Sequence, residues 1–90
     1  MKEVTMKIGK TYEVIKEFCG WWKEEDEFYP SGAAINLFKG IQFKILKEIG
    51  EFHFVANLLT GSFFRPISKA RSTEILIAKT VPSDRVKELN

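Results

Sequence analysis

The side chains that most suggest a nucleophile with its base are a lone cysteine and a lone histidine. They are Cys19 and His53, the one cysteine and the one histidine of 90 residues. A thiolate beside an imidazole is a nucleophile with its base. Nothing else in the chain supports such a pair. No glycine-rich phosphate loop, no second cysteine and no cluster of metal-ligand spacings accompanies them. Both are expected to be packing residues. The chain is expected to be no enzyme, with no cofactor, no metal site and no intrachain disulfide.

The remaining chemistry is electrostatic. "GSFFRPISKARST", residues 61 to 73, carries Arg65, Lys69 and Arg71 without an acid between them. On an extended arm, three such cations could hold successive sugar-phosphates. The alternative is a solvated hairpin tip whose charges discourage edge-to-edge association. Phe63 and Phe64 could stack on unpaired bases, but neighbouring strand residues face opposite ways, so at most one serves a given ligand. Lys10 follows a glycine where one element ends and the next begins. A lysine there adds a point charge to the anion preference of a helix N-terminus, or it is an exposed turn residue.

Bulk charge alone would not suggest a polyanion, because the net charge is +2. Its distribution is uneven. Residues 1 to 30 hold five Lys against seven acids, and residues 61 to 90 hold six Lys or Arg against three. Hydrophobic content of 44% and charged content of 29% fit one folded domain over residues 1 to 90. So short a chain often gains stability from a partner, which raises dimerisation as an expectation. No apolar run reaches the roughly 18 residues of a membrane span, and the start lacks a signal-peptide core. The expected location is cytoplasmic, with no membrane partner.

The elements that would position these residues follow from periodicity. Val4, Met6 and Ile8 alternate with polar residues, which predicts a strand ended by Gly9. Thr11 is a candidate helix cap, and Tyr12, Ile15, Cys19 and Trp22 fall at spacings of three and four. That predicts a helix with both tryptophans on its apolar side. A short extended segment at 27 to 30 and a turn at Ser31 and Gly32 lead to a second predicted helix. Ile35, Phe38, Ile41, Ile45 and Ile49 line it, and Gly50 stops it. Residues 52 to 59 and "STEILIAKTV" are apolar on both alternating faces, which predicts strands in mid-sheet. Residues 61 to 73 form the hairpin arm between them. Pro82 ends the last strand, and "SDRVKELN" is a polar tail of about one helical turn. The expected fold is therefore an α/β (α+β) two-layer sandwich of order β-α-β-α-β-β. Its mixed four-stranded sheet has two helices on one face.

That order and three local strings resemble the Alba family of small archaeal chromatin and RNA-binding proteins. The strings are "MKIGKTYEVI", "SGAAI" at 31 to 35, and "LLTGSFFRPISKARSTEILIAKT". The resemblance implies a homodimer, or a heterodimer with another Alba-like chain. It implies binding of double-stranded DNA or RNA with little sequence preference and a nucleoid association. The family's central glycine-lysine position falls on Lys10, and its basic hairpin falls on Arg65, Lys69 and Arg71. The chain departs from the family where a second lysine would follow the first, at Thr11. It departs again where arginines would surround the turn glycine, at Pro30, Ser31 and Ala33. Fewer cations imply weaker phosphate binding. An interaction subunit with weakened or no nucleic-acid affinity is the competing expectation.

Overall fold

A computed structural model describes residues 2–23, 34–60 and 73–89, and every regular element among them is a strand. The nine are β1 (Glu3–Thr5), β2 (Thr11–Val14), β3 (Phe18–Trp22), β4 (Ala34–Leu37), β5 (Gln42–Ile49), β6 (His53–Leu58), β7 (Glu74–Ala78), β8 (Thr80–Pro82) and β9 (Val86–Glu88). β1 and β8 form an antiparallel pair with Val4 opposite Val81. The other seven form one sheet in the order β4-β3-β7-β6-β5-β2-β9, with every neighbouring pair antiparallel.

The two sheets are parts of one curved wall. Lys79 alone separates β7 from β8, and residues 6 to 10 link β1 to β2. A path through the ladder from β2 to β5, β6 and β7 crosses Lys79 into β8, passes to β1 and returns to β2. Two of those steps are chain links rather than strand pairings, so the curved wall is an open barrel with β4 and β9 as edge strands of the larger sheet. The β4–β5 link imposes the same curvature. The two strands lie four positions apart, about 19 Å on a flat sheet. Five Cα steps reach only about 17 Å even when extended. Residues 38 to 41 are not extended, because the Ile41 amide donates to the Phe38 carbonyl at 3.1 Å.

Alternate residues fill the barrel: Tyr12 and Val14, Phe43 and Ile45, Phe54, Ala56 and Leu58, Ile75 and Ile77, all buried. The Phe43 ring stacks on Tyr12 at 6.0 Å and meets the edge of Phe18 at 6.4 Å. Val55 and Leu76 face the other way, oppose each other across β6 and β7, and are also fully buried. The two strands expected to be apolar on both faces thus lie third and fourth in a row of seven.

The two expected helices are corrected to strands. Residues 11 to 22 form β2 and β3, and residues 35 to 49 form β4 and β5. The fold is all-β, with no helix among the described residues, and the α/β sandwich is overturned. The physical reason lies in residue type and in a shared period. Ile41, Ile45 and Ile49 are four apart, a spacing that suits a helix face and one face of a strand equally. β-branched and aromatic residues make up seven of the twelve positions at 11 to 22 and six of the fifteen at 35 to 49, and they favour the pleated state. Two glycines decide the matter. Gly40 holds φ 96 in the β4–β5 turn. A Cβ on Gly20 would stand 3.0 Å from the Leu76 carbonyl oxygen, so the β3–β7 crossing needs the bare backbone. The tail is also corrected: Val86–Glu88 pair with β2 as β9 rather than forming a helical turn. Pro82 lies in β8, and Ile8, expected on a buried strand face, is 54% exposed. The expected segment at 27 to 30, the turn at 31 and 32, and residues 61 to 72 of the arm lie outside the described residues.

Candidate nucleic-acid interface

Lys10 closes the turn that joins β1 to β2. Its amide donates to the Lys7 carbonyl at 3.2 Å, and Gly9 holds φ 87 at the third position. That backbone conformation is one that residues with a Cβ rarely adopt. Lys10 was expected before a helix; it stands instead at the mouth of a strand. The Gly9 amide donates to the Ile45 carbonyl at 2.8 Å, and the Ile45 amide donates to the Lys10 carbonyl at 3.0 Å. Two residues of the link thus oppose one residue of β5, which is a bulge. β5 has its own slip one step further on, between Ile45 and Lys47.

The turn is anchored from inside. The Tyr12 hydroxyl accepts the Lys7 amide at 2.8 Å, and Tyr12 is only 2% exposed. Burial pushes the Tyr12 phenol above its ordinary pKa, and the Lys7 bond partly opposes that.

Around this double irregularity stand four lysines. Lys7 and Lys10 are on the turn, Lys44 lies opposite Thr11, and Lys47 follows the β5 slip. All four are exposed, and among the described residues none has a carboxylate partner. The nearby Glu48 carboxylate is taken by Lys79 at 2.5 Å. Ile8 and Leu46, each next to one of these lysines in sequence, are exposed, as is Phe52.

Arg65, Lys69, Arg71, Phe63 and Phe64 lie outside the described residues. The strands on either side of them do pair. The Leu58 amide donates to the Thr73 carbonyl at 3.0 Å, and Thr73 Oγ1 bonds Asn57 Oδ1 at 2.5 Å. Asn57 lies opposite Lys44. The chain therefore leaves for the arginine-bearing segment, and returns from it, beside the strand that carries two of the four lysines.

Cys19 and His53 have separate surroundings. Cys19, expected to pack, is exposed on β3 with its Sγ 3.4 Å from Asn36 Oδ1. His53 meets the edge of Trp21 at 5.9 Å. Burial, and then the Lys79 charge, hold its pKa below the ordinary imidazole value. Trp22 is buried in the barrel and Trp21 is half-buried. No three His, Cys, Asp or Glu among the described residues converge on a metal position. No helix among them is long and apolar enough to cross a membrane.

The sequence reading missed Lys7, Lys44 and Lys47. Lys44 and Lys47 flank the Ile45–Leu46 pair, but their relation to Lys10 exists only once β2 and β5 pair. Comparison with protein-family models, curated proteins and solved structures gives no match. The Alba resemblance therefore rests on its local strings, and the fold it implies is not the one this chain adopts.

Proposed function

We propose that the chain is a non-enzymatic nucleic-acid-binding module that holds the sugar-phosphate backbone with little sequence preference. The observation that carries this reading is the cluster of Lys7, Lys10, Lys44 and Lys47, four exposed cations gathered without carboxylate partners among the described residues. Unpaired cations in one place make a local positive potential that a bulk charge of +2 does not. Lysine supplies point charge rather than a bidentate fork, which suits phosphates more than base edges. Arg65, Lys69 and Arg71 extend the same proposal, since their segment is rooted beside Asn57 and Lys44. Pairing into a homodimer would offer two such corners to one polyanion and raise avidity.

The test is a binding titration with labelled 12-mers at 50 and 200 mM salt. Four neutralised phosphates predict an affinity loss of roughly 50-fold for single strands and roughly 150-fold for duplex across that range. Absence of binding at 50 mM by folded protein would reject the reading.

One observation favours a second reading. Ile8, Leu46 and Phe52 are large apolar side chains left exposed, which suits a protein partner. In that case Arg65→Glu with Arg71→Glu leaves assembly intact and alters no nucleic-acid binding. A clear loss of binding in that variant would reject the second reading.

A further inference from the structure

We infer that the ligand of this corner is single-stranded nucleic acid, with one unpaired base stacked on Phe52. This rests on the nucleic-acid reading above and narrows it.

Phe52 is 72% exposed, more than any other large apolar side chain among the described residues. It sits in the β5–β6 turn, between the paired residues Ile49 and His53. Its backbone is nonetheless fixed, because its carbonyl accepts the Lys79 amide at 2.9 Å. The barrel interior is filled without it. An exposed ring on a tethered turn has a π-face to offer.

The lysines set the chemistry that this ring serves. The Lys79 carbonyl in turn accepts the Met6 amide at 2.9 Å. Phe52 and Met6, the residue before the Lys7–Lys10 turn, are therefore both held against Lys79. A strand whose phosphates lie on Lys7, Lys10, Lys44 and Lys47 thus has a base within reach of the ring. Duplex bases are already stacked on each other and present only edges in the grooves, so a rim aromatic gains little from them. An unpaired base gains a stacking partner, and any of the four bases will do. Charge complementarity thus selects a polyanion, and Phe52 selects its unpaired form. Glu51, exposed beside Phe52, works against phosphate at this spot, which leaves the position to a base rather than to the backbone.

The experiment uses the full chain at 50 mM salt with fluorescein-labelled dT12 and a 12-base-pair duplex. Wild type is expected to bind dT12 more tightly than the duplex. Phe52→Ala is expected to weaken dT12 roughly 5- to 100-fold and the duplex less than about twofold. Phe52→Leu, which keeps apolar bulk without the ring, is expected to lose as much as Phe52→Ala. Phe52→Trp is expected to retain wild-type binding. Unchanged melting of the exposed-site variants checks the fold, and Phe52→Leu serves if Phe52→Ala unfolds. If dT12 binds and both variants stay within twofold of wild type, the stacking inference falls while the nucleic-acid reading stands. Equal losses for dT12 and duplex also overturn the inference. If neither ligand binds folded wild type, both readings fall.

Discussion

The two ends of β2 use charge in opposite ways. At its start, Lys7, Lys10, Lys44 and Lys47 stand exposed with no carboxylate partner among the described residues. At its end, Glu13 accepts Gln42 Nε2 at 3.0 Å and lies 3.6 Å from the Lys87 ammonium. Gln42 first, and then Lys87, hold the Glu13 carboxyl below its ordinary pKa. Lys16 and Arg85 share Asp84 at 3.6 and 3.7 Å, and an Arg85 Nη1 also donates to the Glu17 carbonyl. These contacts tie β9 and the residues before it to β2. Charge at that end serves the fold, whereas charge at the other end makes no ion pair among the described residues. A cation that its own chain leaves unmatched keeps its potential for an outside anion.

Phe43 lies between the two ends, stacked on Tyr12 and edged by Phe18. Phe43→Ala should cost about 3–5 kcal/mol and remove the contrast by loosening both ends, read as a lower urea midpoint. Charge reversals separate the ends. Lys10→Glu with Lys44→Glu should weaken nucleic-acid binding roughly tenfold or more while melting stays put. Lys16→Glu with Lys87→Glu should keep affinity within about twofold yet lose up to about 1 kcal/mol of stability, because exposed ion pairs are weak. Equal affinity losses from the two doubles would erase the comparison.

Tyr12→Phe sharpens it. The Lys7 amide loses its acceptor, so about 1 kcal/mol of stability should go, and the turn that carries Lys7 and Lys10 should loosen. The smallest effect concerns acid. The His53 pKa is lower in the folded chain than in the unfolded one, so its neutral form is favoured by folding. Its contribution is complete above the unfolded value near 6.5 and is lost as pH falls through the lower folded value. Thermal melts of His53→Gln across pH 7 to 4 should show a shallower acid decline than wild type.

These sites also mark what the sequence made legible. β6 and β7 were readable because apolar residues on both faces of a short run have few homes other than mid-sheet. β5 was not, because Ile41, Ile45 and Ile49 repeat at four, which satisfies both periods, and β2 and β3 were not, because Tyr12, Ile15, Cys19 and Trp22 fall at helical spacings of three and four. Gly20 and Gly40 inside the expected helices were the informative residues, one required by a close strand crossing and one by a left-handed turn. The same misreading hid the site. Lys10 was visible as a lysine after a turn glycine. Lys44 and Lys47 are more than thirty positions away in sequence and join it only through the β2–β5 ladder.

The central claim is that the corner of Lys7, Lys10, Lys44 and Lys47 binds a polyanion. The salt dependence of dT12 affinity, in wild type and in Lys10→Ala with Lys44→Ala, tests it most directly. The account predicts that log affinity falls against log salt with a slope of about −2.8 or steeper, and that the double variant loses about 1.4 of that slope. A flat dependence, or a slope that the double variant leaves unchanged, would contradict it.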